Sequence, residues 1–207
     1  MRLVLIGGGG HASDVLGVVE DLNATSHASV IEVIGLLDDG EPDQRRFTSR
    51  DVVKIGSVDD LAGVGATHVV RAAGGPPPRG VRAVRVAGFL PAATLVHPTA
   101  TIGTGVAIAS GTVVLPGAHI SPMVRVGEHA CIARGAILGH DCQVGDFVSV
   151  MPGAVVSGDT TLGMGCLIGT NATVLEGRSV GEGASVGAGA VVLDDVPAGG
   201  TVVGNPA

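Results

Sequence analysis

The sequence predicts a mixed fold, in which a small Rossmann-like α/β domain over residues 1–90 precedes a parallel β-helix over residues 91–207. Three observations support this prediction. A branched aliphatic residue stands at every sixth position from Val96 to Val192. The chain begins with an apolar run, four glycines and an apolar periodic segment. The chain has 35 Gly but no Trp and no Tyr, a composition that does not suit a core built on aromatic packing.

The first predicted element is a buried parallel strand, Arg2–Ile6, followed by the glycine loop 7–10 and a helix through Leu22. Glycines at the start of a helix let backbone N–H groups approach an anionic or polar ligand closely. We therefore expect Gly9, Gly10 and His11 to contact a ligand.

The second predicted strand, 31–37, ends at Asp38 and Asp39, where a carboxylate can accept hydroxyl or amide donors of a nucleotide or sugar. A third strand, 67–72, leads to Gly74 and a proline-rich loop, and a short fourth strand is predicted at 84–86. The carboxyl ends of these parallel strands should line one crevice. A dinucleotide site is the less favoured interpretation of this crevice, because a lone glycine fingerprint in a short unit is weak. Residues 90–95 are predicted to form a linker.

The six-residue period predicts the β-helix itself, since it matches neither a helical stripe nor hairpin strands. Three such hexads close one triangular coil, and stacked coils satisfy their own backbone hydrogen bonds. The residue after each aliphatic is mostly small, as at Gly139 and Gly163. A second position, two residues before each aliphatic, should also point inward, as at Ala136 and Cys142.

The composition excludes several classes of partner. The formal net charge is −7, and no basic run is present, which argues against nucleic acid and anionic membranes. The first apolar run is too short for a signal peptide or membrane insertion, so we expect a cytoplasmic protein. The three cysteines show no metal-ligand spacing. They should be reduced core residues, and no metal is expected.

The best candidate for chemistry is the pair His140 and Asp141, at a predicted corner of the β-helix. A carboxylate beside a histidine can stabilise the imidazolium, which suits a general base. The same slots elsewhere hold ordinary turn residues, so a solvated corner without catalytic function is the alternative. The local sequence shows no nucleophile paired with a base, which favours direct transfer to an acceptor over a covalent intermediate.

At the level of motifs the chain resembles the hexapeptide-repeat sugar acyltransferases of the bacillosamine and perosamine N-acetyltransferase type, also described as sialic acid O-acetyltransferase-like. The resemblance covers nearly the whole chain. Its motifs are Gly7-Gly8-Gly9-Gly10-His11, Leu37-Asp38-Asp39, Val96-His97-Pro98-Thr99-Ala100, Gly139-His140-Asp141-Cys142, Val144-Gly145-Asp146-Phe147 and Val203-Gly204-Asn205-Pro206-Ala207.

The resemblance implies a left-handed β-helix that assembles as a homotrimer, with acetyl-CoA as co-substrate and a nucleotide-linked amino sugar as acceptor. It implies that His140 is the general base and that Asp141 strengthens it. It further implies acceptor contacts at Gly9, Gly10, His11, Asp38, Asp39 and Gly74, and coenzyme A contacts at Ser149, Gly158, Thr170 and Ala188.

Two positions depart from the pattern of that family, which commonly has Asn at the position of Ala133 and His at the position of Ser149. The expected activity is N-acetylation of a nucleotide-linked amino sugar for surface polysaccharide synthesis. O-acetylation of a sugar hydroxyl needs the same base and is an alternative. A non-catalytic β-helix module is a second alternative, because both departures remove polar groups near the reaction.

Overall fold

The computed structural model describes residues 1–25, 30–72 and 90–207. Contacts within the chain divide it into two compact units, Met1–Leu95 and Val96–Ala207. Within the described ranges, no helix is long and apolar enough to cross a membrane.

The first unit is a parallel sheet with one long helix. Its strands are β1 (Arg2–Ile6), β2 (Glu32–Leu37), β3 (Lys54–Gly56) and β4 (His68–Arg71), in the spatial order β3-β2-β1-β4. Helix α1 (Gly10–Thr25) follows β1, and three short 3₁₀ helices span Gln44–Arg46, Thr48–Arg50 and Val58–Gly63. The predictions of β1, α1, β2 and β4 are confirmed. The short strand β3 was not predicted, because it has three residues and no buried one.

The core of this unit follows from the apolar runs of its strands. Four consecutive residues of β1, Leu3 to Ile6, are buried, as are Leu36 and Leu37 at the end of β2. Continuous burial of this kind is typical of a central strand in a parallel sheet. On α1, Ala12, Val15, Leu16, Val18 and Val19 are buried. Strands β1 and β2 are neighbours, so their carboxyl ends lie side by side.

The prediction of a simple linker at 90–95 is wrong. Ala92 forms a parallel bridge with Val69, the Val69 N–H donates to the Pro91 carbonyl, and the Ala93 N–H donates to the Val69 carbonyl. The edge of β4 carries unpaired backbone groups that another segment can satisfy. Leu95 already belongs to the next strand. The predicted strand at 84–86 and the predicted contact Gly74 lie outside the described residues.

The second unit is a left-handed parallel β-helix. Each strand has two residues and pairs with the strand one coil along, as Ile137 does with Val155, so one coil takes eighteen residues. The strands are β5 (Leu95–Val96), β6 (Thr101–Ile102), β7 (Ala107–Ile108), β8 (Val113–Val114), β9 (His119–Ile120), β10 (Arg125–Val126), β11 (Cys131–Ile132), β12 (Ile137–Leu138), β13 (Gln143–Val144), β14 (Ser149–Val150), β15 (Val155–Val156), β16 (Thr161–Leu162), β17 (Leu167–Ile168), β18 (Thr173–Val174), β19 (Ser179–Val180), β20 (Ser185–Val186), β21 (Val191–Val192) and β22 (Thr201–Val202).

The strands form three parallel sheets of seven, six and five strands, which we call the seven-strand, six-strand and five-strand faces. The chain visits them in that order. Each coil therefore has a seven-to-six corner, a six-to-five corner and a five-to-seven corner. The β-helix was predicted from the period, and the pairing of the strands confirms it.

The interior is the predicted aliphatic ladder. Leu138, Val156 and Val174 stack on the six-strand face, and all three are fully buried. The second inward position is confirmed as well, since Ala136 and Cys142 are fully buried. The small residue after each aliphatic has a steric reason, because the corners of successive coils stack closely. A methyl group on Gly169 would lie 2.6 Å from the backbone nitrogen of Ala188 in the next coil.

Candidate active site

His140 and Asp141 form one six-to-five corner, directly after strand β12. The Nδ1 atom of His140 lies 2.9 Å from Oδ2 of Asp141. The side chains are 58% and 53% exposed, so this pair faces solvent rather than the aliphatic core. An exposed histidine that is oriented by a carboxylate can exchange a proton with an incoming ligand.

The hydrogen bond assigns different roles to the two ring nitrogens of His140. An ionised carboxylate can only accept, so Nδ1 carries the proton in the bond to Asp141. In the neutral ring Nε2 then keeps its lone pair. The pair therefore presents Nε2 as the basic atom.

The backbone at Asp141 explains why an adjacent residue can reach the ring. Asp141 has a φ of 60°, in the left-handed region that most side chains avoid. Asp and Asn are the side chains that tolerate this region best. Most equivalent corner positions hold glycine, among them Gly105 and Gly177 of the same corner column. An aspartate there keeps the turn and adds a carboxylate beside the imidazole.

The four predicted coenzyme A contacts lie in different places. Gly158 is buried at the six-to-five corner, one coil beyond His140, and the Asp159 N–H donates to the His140 carbonyl. Ser149 is on the seven-strand face, where it pairs with Cys131, and is only 7% exposed. Ala133, one of the two departures from the family pattern, is also buried.

Thr170 and Ala188 are exposed and occupy the seven-to-six corner in successive coils. The Gly189 N–H donates to the Thr170 carbonyl, which places the two residues in one column. This corner lies at the opposite edge of the six-strand face from His140. One β-helix therefore does not bring all four predicted contacts together around its own His140.

The glycine loop of the first unit is held by Asp38. Its Oδ2 accepts from the Gly8 N–H at 2.6 Å, and its Oδ1 accepts from the Gly40 N–H at 2.7 Å. One carboxylate oxygen thus holds the loop after β1, and the other holds the loop after β2. Asp39 accepts from the Val58 N–H at 3.2 Å. The sequence predicted that these acids lie near the loop but not that they bind the protein's own backbone.

Gly9 and Gly10 remain exposed at the start of α1, and His11 is half-buried. A methyl group on Gly10 would lie 2.9 Å from Nη1 of Arg46, so that guanidinium lies beside the helix N-terminus. Arg46 was not predicted as part of the loop, because it follows β2 on a 3₁₀ turn and no local motif marks it.

The three cysteines and His129 lie in the β-helix. None of Cys131, Cys142 and Cys166 is in a disulfide, and burial raises the pKa of the Cys166 thiol to about 12. The ring of His129 stacks on Phe147 at a centroid distance of 5.2 Å, in a five-to-seven corner. Within the described residues, no group of three or more His, Cys, Asp or Glu side chains could hold a metal ion.

Comparison with known proteins places this site in a family. The bacterial transferase hexapeptide family, described by six repeats, matches residues 138–176, a range that includes His140. The acetyltransferase domain of PglB from Neisseria gonorrhoeae FA1090 is 30% identical, with 99% of this chain and 97% of that chain covered and a TM-score of 0.84. The chain belongs to the hexapeptide-repeat sugar acyltransferases.

Two further solved structures are similar to this chain. PerB from Caulobacter crescentus, solved with CoA and GDP-perosamine, is 26% identical over 99% of this chain and 94% of that chain, with a TM-score of 0.83. WeeI from Acinetobacter baumannii AYE is 25% identical over 100% of this chain and 98% of that chain, also with a TM-score of 0.83. A search of curated protein sequences found no match. The predicted family, fold and enzyme class are confirmed.

Proposed function

We propose that this acyltransferase uses acetyl-CoA to acetylate the amino group of a nucleotide-linked amino sugar, with His140 as general base. The observation that carries the proposal is the exposed corner at which Asp141 holds His140 Nδ1 and leaves Nε2 available. Related structures support the two substrates, since the PglB domain was solved with acetyl coenzyme A and PerB with CoA and GDP-perosamine.

The proposed transfer is direct. The sugar amine, in its neutral form, attacks the thioester carbonyl carbon as His140 Nε2 takes a proton from its nitrogen, because an amide product cannot keep the ammonium charge. The C–N bond forms and the C–S bond breaks. Coenzyme A leaves as a thiolate, which the imidazolium reprotonates. Asp141 stabilises the imidazolium between these two proton transfers.

The first unit is proposed to bind the nucleotide part of the acceptor. Its exposed Gly9 and Gly10 present N–H groups at the positive end of a sixteen-residue helix, and the Arg46 guanidinium lies beside them. Asp38 supports the site by fixing the loop. His11, Asp39 and Gly74 stay proposed acceptor contacts. The second unit, with Ser149, Gly158, Thr170 and Ala188, is proposed to bind acetyl-CoA.

The function is tested by the release of free coenzyme A thiol from acetyl-CoA with UDP-, GDP- and dTDP-linked amino sugars. We expect acceptor-dependent release by the wild type, and His140→Asn should lower its rate by about 100-fold or more while leaving a measurable residual rate and intact acetyl-CoA binding. A matched acceptor with a hydroxyl in place of the amine distinguishes O-acetylation, which would be the function if only that acceptor turned over. Absence of acetyl-CoA binding would indicate the non-catalytic module instead.

We further propose that the active unit is a trimer with sites between chains. His140 and the column of Thr170 and Ala188 lie at opposite edges of the six-strand face. In a closed heterologous ring, one edge of a face contacts the other edge of the same face in the next chain. If the six-strand faces surround the three-fold axis, the corner of His140 in one chain lies beside the column that holds Thr170 and Ala188, two and three coils further along, in the next.

The surface of the six-strand face suits burial in such a ring. Its outward side chains include the apolar residues Ile137, Val155 and Val191, whereas the five-strand face presents Arg125, Gln143, Thr161 and Ser179. Ile137 is 39% exposed, and Leu193 at the edge of the face is 42% exposed. Light scattering should give a trimer for the wild type. Ile137→Arg should give a monomer, and Thr161→Arg on the five-strand face is the matched control that should remain trimeric.

A cytoplasmic location is proposed on the basis of the substrates. Acetyl-CoA and nucleotide sugars are made and used inside the cell, and the three cysteines are outside any disulfide. Fractionation of cells that express the full protein would test this location.

A further inference from the structure

We infer that Gly158 is a positioning residue for the general base, because its missing side chain leaves the space in which the His140 imidazole lies. The inference rests on the proposed role of His140. It differs from the proposed contact with coenzyme A, because it concerns the absent Cβ of Gly158 rather than a bond to a ligand.

The sequence position of Gly158 is unusual within the repeat. The slot two residues after each inward aliphatic holds a residue with a side chain at every other hexad from Pro98 to Asp194. Gly158 is the one glycine in that series, all of which the structure describes. Its φ lies outside the left-handed region, so the backbone there does not require glycine. Glu176 occupies the same slot of the same corner one coil beyond Gly158, which shows that this corner accepts a residue with a side chain.

The neighbouring side chain of His140 explains why position 158 is a glycine. A Cβ built on Gly158 would lie 2.5 Å from His140 Nε2 and 2.6 Å from its Cε1. The ring therefore lies against the buried glycine of the next coil, while Asp141 holds the other side of the ring through Nδ1. Two contacts, one polar and one steric, set the direction in which Nε2 points.

A methyl group at this position would displace the ring rather than unfold the corner. The imidazole is 58% exposed and can rotate outward, which moves Nε2 and lengthens the bond between Nδ1 and Asp141. Since a misplacement of about 1 Å can cost about 100-fold in rate, we expect Gly158→Ala to lower kcat by about 10- to 100-fold. The Gly158 N–H stays in place, so its own hydrogen-bonding capacity is unchanged.

The test is a double-mutant cycle between Gly158→Ala and His140→Ala, with acetyl-CoA affinity measured for each variant. If Gly158 acts through His140, adding Gly158→Ala to His140→Ala should cause no further loss of kcat. The loss should fall on kcat, whereas a loss confined to acetyl-CoA affinity would indicate that Gly158 acts only through the proposed coenzyme A contact and would contradict the inference. Gly17→Ala is the matched control, because a Cβ on Gly17 meets nothing within 4 Å, and it should retain full activity.

A second readout does not depend on turnover. Crystal structures of the wild type and of Gly158→Ala, together with NMR of the imidazole nitrogens, should show the ring displaced and the Nδ1 bond to Asp141 weakened. An unmoved ring, or equal losses with and without His140, would overturn the inference. A wild type without acetyl transfer would instead refute the proposed function. The position of the His140 ring in the two crystal structures would still show whether Gly158 positions it.

Discussion

The bond between His140 and Asp141 makes a quantitative prediction for Asp141→Asn. Asparagine tolerates the φ of 60° at this corner, so the substitution removes the charge with little change of the backbone. An exposed ion pair contributes about 1 kcal/mol, which corresponds to about fivefold in rate. When substrates exclude water, a charge-assisted bond of this kind is worth about 2–3 kcal/mol. We therefore expect kcat/KM to fall by about 5- to 100-fold.

The assay is steady-state release of coenzyme A thiol, with the thermal midpoint of unfolding measured in parallel. Asp141→Ala separates the effect of the lost charge from the effect of backbone strain. Alanine also removes the charge, and in the left-handed region it costs about 1 kcal/mol of stability in addition. Both variants should lose activity, and only the alanine variant should show a clearly lower midpoint. An Asp141→Asn enzyme within twofold of the wild type would refute the claim that this carboxylate supports the base.

Three further predictions concern the loop, the ladder and the thiols. Asp38→Ala leaves the N–H of the buried Gly8 without its acceptor, so it should lower the free energy of unfolding by about 2 kcal/mol. It should also raise KM for the sugar but not for acetyl-CoA. An unchanged KM for the sugar would contradict the supporting role of Asp38. Ile168→Ala opens a cavity in the fully buried ladder and should cost about 2–5 kcal/mol in urea unfolding. The exposed Thr161→Ala should stay within about 0.5 kcal/mol, and equal losses for both would contradict the ladder. Because burial raises the pKa of the Cys142 and Cys166 thiols, a thiol reagent at about pH 8 should label neither in the native protein and both after unfolding. Native labelling of all three cysteines would contradict their placement.

The β-helix could be predicted in detail because its period is a direct consequence of its geometry. Each hexad contributes one aliphatic in a single register from Val96 to Val192, and these aliphatics are buried from Val114 onward. The first unit was predicted less completely. Its strand β3 is three residues long with no buried side chain, and the segment around Ala92 pairs with an edge strand across a sequence distance that no local pattern encodes.

Part of the candidate site could also be predicted from the sequence, and part could not. The pair of His140 and Asp141 stood out because it breaks a monotonous repeat, and adjacency in sequence became a 2.9 Å bond through the left-handed turn at Asp141. The support from Asp38 and the position of Arg46 depend on which loops meet at the sheet edge, so no local sequence pattern indicates them. The sequence contains the spacing of eighteen residues between His140 and Gly158. Only the pairing of successive coils shows that this spacing stacks Gly158 on the His140 ring.

The measurement that tests the account most directly mixes two inactive variants. His140→Ala removes the base, and Ala188→Trp blocks the column at the opposite edge of the six-strand face. Coexpressed with different tags and purified as mixed trimers, the two should recover acceptor-dependent acetyl transfer, because about one third of the sites in a mixed trimer combine an intact His140 with an intact Ala188 from the next chain. Recovery toward that level is the predicted result. Mixed trimers as inactive as each variant alone would contradict a site that one chain's base and its neighbour's corner complete.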